Sequence, residues 1–267
     1  MPTVIGLAAV ARSGKDTVAS MLLEHPQVAT YALADPLKAG CQAAFGLTHE
    51  EAWEDDIKET VIELWGLSPR QIFQRVGTEW LRDHNPDHWL LRADRQLNHP
   101  LMEMQSDLKI DTTSPTTAVW LAVQAFWGLS DEQTWNRSSR EIKDPFWEKA
   151  PEEMYEIIQA YINRDFPGYL ETRSKRIISR PSKRLANPAG KSVFVIKDIR
   201  YENEAAFWRN HNGVIWHITR THAKKVNSHS SENGIEIREK DLLIENNGTI
   251  KELEEKVKKA WSTIRDS

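Results

Sequence analysis

The sequence lacks most of the features that mark secreted, membrane and zinc-binding proteins. Its one cysteine, Cys41, cannot form an intramolecular disulfide, which is typical of proteins in a reducing compartment. No apolar run reaches membrane length, no secretory signal is expected, and no Cys/His cluster has the spacing of a zinc site. The net charge of -4 gives no overall attraction to nucleic acid or to anionic membranes. We therefore expect a cytoplasmic protein with neither nucleic acid nor a membrane as its partner.

The sequence does contain a phosphate-binding pattern close to its beginning. The loop from Ala9 to Thr17 carries Gly14 and Lys15, and it lies between an apolar run and a helix-forming segment. In a strand, loop and helix of this kind, backbone N–H groups and the positive end of the helix dipole bind phosphate groups. The pattern predicts that Lys15 lies over the β- and γ-phosphates of a nucleoside triphosphate and that Thr17 binds the α-phosphate.

Asp16 is the unusual residue of this loop, because a Ser or Thr that binds Mg²⁺ normally stands at its position. A carboxylate beside a triphosphate is repelled unless a cation lies between the two groups. Asp16 therefore either helps to hold Mg²⁺ through water or pairs with Arg12, and the sequence leaves both alternatives open.

Five apolar segments that alternate with helical patterns predict an α/β fold with a doubly wound, parallel, five-stranded sheet. The segments are residues 4–10, 28–33, 192–196, 213–219 and 241–246. Ligands bind at the carboxyl ends of the strands in such a sheet, so the polar residues there are expected to converge. These residues are Asp35, Asp198, Arg200, Arg220 and Asn247. Residues 1–36 and 193–267 are assigned to the sheet core, and residues 37–192 to a large helical insertion.

The helical insertion contains an apparent internal repeat of residues 45–83 in residues 127–165. Residues 46–53 resemble residues 128–135 at an offset of 82, and Pro69 falls on Pro151 at the same offset. The second copy lacks the charged helix face of the first, so we expect it to serve mainly as scaffold. The sequence alone leaves open which copy binds a ligand.

That charged face belongs to residues 68–82, which begin like a helix with Ser68 as the N-cap and Pro69 in the first position. Four polar side chains share one face at helical spacing: Arg75, Thr78, Glu79 and Arg82. Gly77 costs about 1 kcal/mol inside a helix, which indicates that a neighbour packs closely against it. The face either binds phosphate and base groups or is a solvated surface with its own ion pairs, and spacing does not choose between them.

Together these segments resemble one family, the bacteriophage deoxynucleoside-monophosphate kinases of the P-loop nucleoside-monophosphate kinase superfamily. The resemblance rests on Arg12-Ser13-Gly14-Lys15-Asp16-Thr17 and on segments 34–38, 68–70, 76–79, 198–204 and 246–249, which follow the family's order. Residues 98–192 extend beyond the family pattern. The resemblance implies transfer of the γ-phosphoryl group of ATP to a deoxynucleoside 5′-monophosphate, with Mg²⁺ as cofactor. The products would be ADP and a dNDP for phage DNA synthesis, made in the host cytoplasm.

The resemblance also implies roles for individual residues. ATP would be bound by Ser13, Gly14, Lys15, Asp16, Thr17, Arg220, Asn247 and Gly248. The monophosphate would be bound by Asp35, Lys38, Arg70, Arg75, Gly77, Thr78, Glu79 and Arg200. The catalytic residues would be Arg12, Lys15, Asp16 and Arg200, and Asp16 and Asp198 would hold Mg²⁺ through water. Residues 220–234, including Arg220 and Lys224, would form a short lid over ATP.

Other functions remain open at this point. The acceptor could instead be a ribonucleoside monophosphate or dephospho-coenzyme A. A rival of another class is a nucleotide-gated nucleic-acid-binding protein that uses the basic residues 173–184. A kinase of this type needs no general base, because an acceptor phosphate with a second pKa near ~6 is already an anionic nucleophile. The sequence does not determine the base that is accepted, the choice between deoxyribose and ribose, or whether the chain forms a homodimer.

Overall fold

The structure is a computed structural model that describes residues 2–10, 12–99, 114–178, 180–181, 189–221 and 235–265. The chain divides into two compact units, which we call the sheet unit (residues 1–32 and 186–267) and the helical unit (residues 33–185). The expected boundaries, at residues 36 and 193, lie a few residues further along the chain. Among the described helices, none is both long and apolar enough to span a membrane. The expected lid lies outside the described residues from residue 222 onward, and so does Lys224.

The sheet unit contains five parallel strands in the order β2-β3-β1-β4-β5. The strands are β1 (Thr3–Ala9), β2 (Val28–Tyr31), β3 (Val193–Ile199), β4 (Gly213–Thr219) and β5 (Leu242–Glu245). In the central strand, Ile5 pairs with Val195 on one side and with Val214 on the other. Ile5 and Leu7 are fully buried, as expected for a parallel sheet that is covered by helices on its faces. The predicted fold class is therefore confirmed.

In the described part of the sheet unit, three helices accompany these strands: α1 (Lys15–Leu22), α11 (Glu202–Asn210) and α12 (Ile250–Arg265). Helix α12 begins with a capping box, in which Thr249 N donates to Glu252 Oε2 at 2.7 Å and Glu252 N donates to Thr249 Oγ1 at 3.3 Å. Its buried side chains, Leu253, Val257 and Trp261, pack into the core that also contains Ile5.

The helical unit is built from nine α-helices and one π-helix among its described residues. They are α2 (Asp35–Phe45), α3 (His49–Trp53), α4 (Pro69–Gln74), the π-helix Arg75–Arg82, α5 (His88–Asn98), α6 (Pro115–Trp127), α7 (Asp131–Trp135), α8 (Arg137–Arg140), α9 (Pro151–Asp165) and α10 (Tyr169–Ser174). Ser68 caps α4 through a capping box with Gln71, and Pro69 follows it, so the predicted start of this helix is confirmed.

Hydrogen bonds in the helical unit recur at an offset of 82 residues. Trp65 Nε1 donates to Phe45 O at 2.9 Å, and Trp147 Nε1 donates to Trp127 O at 2.8 Å. The antiparallel bridge between Ile62 and Leu67 recurs between residues 144 and 149. The capping box of α3 likewise recurs in α7. The unit thus contains two copies of one structural motif, which we call copy 1 (beginning with α2) and copy 2 (beginning with α6).

The last helix of each copy packs against the first helix of the other. Arg92 Nε in α5 donates to Ala125 O in α6 at 2.9 Å, while Arg173 Nε in α10 donates to Ala43 O in α2 at 3.2 Å. Both arginines are buried. The exchange is reciprocal, so the two copies stabilise each other through matching contacts.

The π-helix explains why this last pair of helices departs from the offset of 82. Arg92 and Arg173 are 81 residues apart, so copy 1 contains one more residue than copy 2 between α4 and α5. A π-helix accommodates one extra residue in what is otherwise an α-helix, and such insertions are frequent at functional sites. The corresponding segment of copy 2, α9, is α-helical throughout. The insertion is therefore a feature of copy 1.

Candidate functional site

Gly14 and Asn246 shape the loop of the sheet unit that is predicted to bind phosphate, which we call the phosphate loop. Gly14 precedes α1 with φ of +97°, which favours glycine, and a Cβ atom there would lie 2.4 Å from Asn246 Nδ2. Asn246 Nδ2 donates to Ser13 O at 2.9 Å and so ties the loop to the end of β5. Ser13 Oγ is buried and has no hydrogen-bond partner among the described residues. A buried hydroxyl of this kind fits a loop that donates to a phosphate oxygen.

Asp198 holds two cations at the carboxyl end of β3. Lys15 Nζ lies 2.6 Å from Asp198 Oδ1, and Arg200 Nη2 lies 2.5 Å from Asp198 Oδ2. Burial alone would raise the pKa of Asp198, but the hydrogen bonds from Arg200 and Lys15 outweigh it and leave that pKa below its ordinary value. The hydrogen bond that Arg200 donates to Asp198 also raises the pKa of Arg200, against the effect of burial. The carboxylate is thus ionised and oriented beside the phosphate loop.

The ends of β4 and β5 also meet at this edge. Asn246 N donates to Thr219 O at 2.8 Å, and Thr221 N donates to Asn247 Oδ1 at 2.8 Å. Arg220, between these contacts, is exposed. The predicted loop residues of the sheet unit therefore lie at one edge, as the strand order requires.

Arg12 and Asp16 lie on the outside of the loop, where both side chains are exposed. Arg12 adopts φ of +65°, an uncommon value for a residue with a side chain. Within the described part of the chain no ion pair joins Arg12 to Asp16, so the structure gives no support to that alternative for Asp16. An exposed carboxylate in the first turn of α1 is still available to a hydrated cation.

The helical unit has a cationic pocket in copy 1, with a volume of about 360 Å³. Its lining residues are Lys38, Ala52, Glu54, Lys58, Arg70, Phe73 and Gln74. The ammonium of Lys38 lies 5.4 Å from the centre of the Trp53 ring, Lys58 Nζ lies 2.6 Å from Asp55 Oδ1, and Arg70 pairs with Glu59. Phe73 is the aromatic residue of the lining, so the pocket combines positive charge with an aromatic ring.

Two of the predicted monophosphate-binding residues, Lys38 and Arg70, line this pocket, whereas Arg75 and Glu79 are absent from its lining. Arg75 Nε lies 3.8 Å from Glu79 Oε2, and its guanidinium lies 5.7 Å from the centre of the Phe166 ring. Thr78 is exposed, and Asp35 is the first residue of α2. No residue of the charged face predicted on this helix lines the pocket, so the predicted monophosphate-binding residues are divided between two surfaces.

Gly77 lies in the π-helix and is closely packed, as its position in the sequence predicts. A Cβ atom on Gly77 would lie 2.7 Å from Leu37 Cδ2, and Trp89 Nε1 donates to Gly77 O at 3.0 Å. Lys58 and Phe73 were not predicted as site residues. A signal for them is present, because a cation and an aromatic residue recur 82 residues later as Arg140 and Tyr155.

The basic residues 173–184 do not form an open cationic surface in the part that the structure describes. Arg173 is fully buried and donates to backbone carbonyls of residues 43, 176 and 177. Arg176 pairs with Glu51 at 2.6 Å, and Arg180 pairs with Asp131 at 3.3 Å. Residues 179 and 182–184 lie outside the described residues. Arg173 therefore gives no support to the nucleic-acid-binding alternative, because its buried guanidinium joins the two copies.

The family model described as deoxynucleotide monophosphate kinase matches residues 3–66 and 181–257, which together make up just over half of the chain. The chain belongs to the deoxynucleotide monophosphate kinase family. The match includes the phosphate loop, the first two helices of copy 1, and the strand ends that carry Asp198, Arg200, Arg220 and Asn247. It leaves residues 67–180, and with them copy 2, outside this family's model.

Two relatives agree with this family. The deoxynucleotide monophosphate kinase of Enterobacteria phage T4 is 23% identical over 272 aligned residues, which cover 98% of this chain and 99% of the phage protein. A putative deoxynucleotide monophosphate kinase of Acanthamoeba polyphaga mimivirus is 40% identical over 83 residues. That second match spans 30% of this chain and 43% of the mimiviral protein.

Proposed function

We propose that this chain transfers the γ-phosphoryl group of ATP to a deoxynucleoside 5′-monophosphate and releases ADP and a dNDP. The observation that carries the proposal is the Lys15–Asp198–Arg200 cluster beside a glycine-dependent phosphate loop. Family membership and a separate cationic pocket, suited to a second nucleotide, support it.

The donor would be bound by the sheet unit. The loop N–H groups, the Ser13 hydroxyl and Lys15 would bind the β- and γ-phosphates, while Asn247 and Gly248 would lie near the adenine. Arg12 and Arg220 are exposed cations on loops at this edge, and they would neutralise charge on the transferred group.

The residues present also fit Mg²⁺ with its usual water shell. Mg²⁺ commonly keeps several of its waters, and Asp16 and Asp198 would hold it through water, since both oxygens of Asp198 already accept from Lys15 and Arg200. The lowered pKa of Asp198 keeps that carboxylate ionised at neutral pH. When bound, Mg²⁺ would supply positive charge that offsets the negative charge of the phosphates.

The acceptor would be bound by the helical unit, with Lys38, Arg70 and Arg75 as candidate contacts to its phosphate. An acceptor phosphate with a second pKa near ~6 attacks as an anion, so no side chain has to remove a proton. The chain's contribution is to orient the two nucleotides and to stabilise charge on the equatorial oxygens through Lys15, Arg12 and Arg200.

The test is release of ADP from ATP and Mg²⁺ in the presence of each common deoxynucleoside and ribonucleoside monophosphate, and of dephospho-coenzyme A. We expect at least one deoxynucleoside monophosphate to stimulate release. A preference for a ribonucleotide or for dephospho-coenzyme A would change the proposed acceptor but would still support a kinase activity. Stimulation by none of them, together with salt-dependent retention on DNA, would favour the nucleic-acid-binding alternative.

A further inference from the structure

Copy 2 contains a three-layer stack of its own side chains. The ring of Trp120 stacks on Tyr155, with ring centres 4.6 Å apart and planes inclined by 19°. The guanidinium of Arg140 lies over the other face of the indole, 3.8 Å from its centre. Arg140 is kept there by a hydrogen bond of 2.8 Å from its Nε to Thr134 O. A planar aromatic group is thus held between an aromatic ring and a cation.

The three members of this stack correspond to three lining residues of the pocket in copy 1. At the offset of 82 residues, Trp120 corresponds to Lys38, Tyr155 to Phe73 and Arg140 to Lys58. The offset applies here because all three pairs precede the extra residue of the π-helix, and hydrogen bonds on both sides of Lys58 obey it. The stack of copy 2 and the pocket of copy 1 therefore occupy equivalent positions in two copies of one motif.

The copies differ in what fills that place. In copy 2 the indole of Trp120 occupies it, and Trp120 is 6% exposed. In copy 1 the corresponding residue is Lys38, whose ammonium lies near Trp53, and a cavity of about 360 Å³ remains beside Phe73 and Lys58. Copy 1 has thus kept an aromatic ring and a cation but has no indole between them.

We infer that the base of the acceptor nucleotide lies in the copy 1 pocket, stacked on Phe73 and covered by Lys58, where copy 2 has its own Trp120. This inference rests on the proposed function and extends it from the phosphate to the base. Stacking on an aromatic ring tolerates every base, because each base has a π face. The polar groups of Glu54 and Gln74, which also line the pocket, are at hand for the edge of the base.

The same comparison assigns copy 2 a different role. Its pocket is filled, and burial together with a neighbouring cation, Arg137, lowers the pKa of Arg140, partly offset by Glu152. Glu152 is the counterpart of Arg70, so copy 2 has a carboxylate where copy 1 has a cation. The indole of Trp120 already fills the place that a base would need, so copy 2 braces copy 1 without binding a nucleotide of its own.

The test compares Phe73→Leu with Tyr155→Leu, its counterpart in copy 2, in the full chain. Calorimetry measures the dissociation constants of the deoxynucleoside monophosphates and of 2-deoxyribose 5-phosphate, which has no base. We expect Phe73→Leu to weaken binding of the nucleotides about tenfold, the low end of measured base–aromatic stacking, and to leave deoxyribose phosphate unchanged. Phe73→Trp should restore nucleotide binding, and Tyr155→Leu should lower thermal stability without changing either dissociation constant.

Two results would overturn the inference while leaving the kinase intact. One is nucleotide affinity that does not depend on Phe73, and the other is an equal loss for the nucleotide and for deoxyribose phosphate. Nucleotide binding that depends on Phe73 without any ADP release would instead support the base site and refute the proposed kinase activity. Failure of the wild-type chain to bind any deoxynucleoside monophosphate would refute both.

Discussion

Lys15 Nζ and Asp198 Oδ1 are 2.6 Å apart, so the phosphate loop and the end of β3 are joined by an ion pair. The two residues are 183 positions apart in the sequence. The ion pair orients the ammonium group of Lys15 without a bound phosphate. The side chain of Lys15 is 23% exposed and that of Asp198 is 42% exposed, so the pair remains accessible from solvent.

Substitution of Lys15 by Met is expected to lower phosphoryl transfer by at least ~100-fold, as loss of one preorganised group at a developing charge does. The fold should survive, because Asp198 keeps its second partner, Arg200. Coupled ADP release and thermal unfolding measure the two effects. Lys251→Met, on the exposed side of α12, is the matched control and should be fully active. Retention of a tenth of the activity by Lys15→Met would contradict the proposal that this loop binds the phosphates of ATP.

Substitutions of Arg70 and Arg75 are expected to differ in their effects on the acceptor KM. Arg70 lines the cationic pocket, so Arg70→Gln should raise the acceptor KM about tenfold and leave the KM for ATP unchanged. Arg75 contacts Glu79 and Phe166 instead, and Arg75→Gln tests whether the acceptor extends to that surface.

Steady-state kinetics with saturating ATP measure both variants, with Arg164→Gln as an exposed control. A larger KM in Arg75→Gln than in Arg70→Gln would move the phosphate of the acceptor from the pocket to the other face of the helix. An unchanged KM in both would exclude this helix as the acceptor site.

His88 is expected to make the stability of the chain depend on pH. Burial is the main cause that lowers its pKa from 6.5 to about 3, although its Nε2 bonds to Phe126 O at 3.2 Å. The ring is neutral in the folded chain, and the unfolded chain takes up the proton first as the pH falls. Stability from His88 is therefore complete above pH 6.5 and is lost progressively between about pH 6.5 and 3.

His88→Gln keeps a hydrogen-bond donor for Phe126 O but removes the titration. The difference in unfolding free energy between the wild type and this variant should change by at most about 1.4 kcal/mol per pH unit within that window. Urea unfolding at pH 7.5, 6 and 5 measures it, and the other titrating groups cancel in the difference. Parallel pH profiles for the two proteins would show that His88 is not held neutral.

Gly40 is expected to be important for stability where α2 packs against α6. A Cβ atom at Gly40 would lie 2.1 Å from Cε1 of the buried Phe126 ring. Overpacking of this kind costs about 1–3 kcal/mol, of which the better helix propensity of alanine returns at most about 1 kcal/mol. Gly40→Ala should thus lower the unfolding free energy.

The added variant Phe126→Leu makes room for the methyl group, so the double substitution should cost less than the sum of the two single ones. Denaturant unfolding of the four proteins measures this coupling. Additive costs would mean that Gly40 and Phe126 do not meet in the packed unit.

Local sequence was sufficient for the strands, the turn before α1 and the helix caps. The strands are continuous apolar runs because both faces of a parallel sheet are buried, and the capping boxes of Ser68 and Thr249 need only residues three positions apart. The position of Gly77 also revealed a close contact, although not its partner, Leu37.

The π-helix, by contrast, could not be predicted from periodicity. One extra residue hardly changes an apolar pattern, and its presence emerges only when the contacts of Arg92 are compared with those of Arg173. The burial of Arg173 was missed for a similar reason. A basic residue in a basic stretch is expected to be exposed. The acceptor of Arg173, Ala43 O, lies 130 residues away in the sequence, and only packing of the two helices brings the two groups together.

The sequence by itself determined the class of the protein, because a phosphate loop and an alternating α/β pattern are local and their residue types are chemically specific. Tertiary structure alone decided how the residues of the helical unit divide into a pocket and a scaffold. Lys38, Lys58 and Phe73 are distant in sequence, and only packing brings them to one cavity. Only packing, likewise, fills the corresponding place in copy 2 with Trp120.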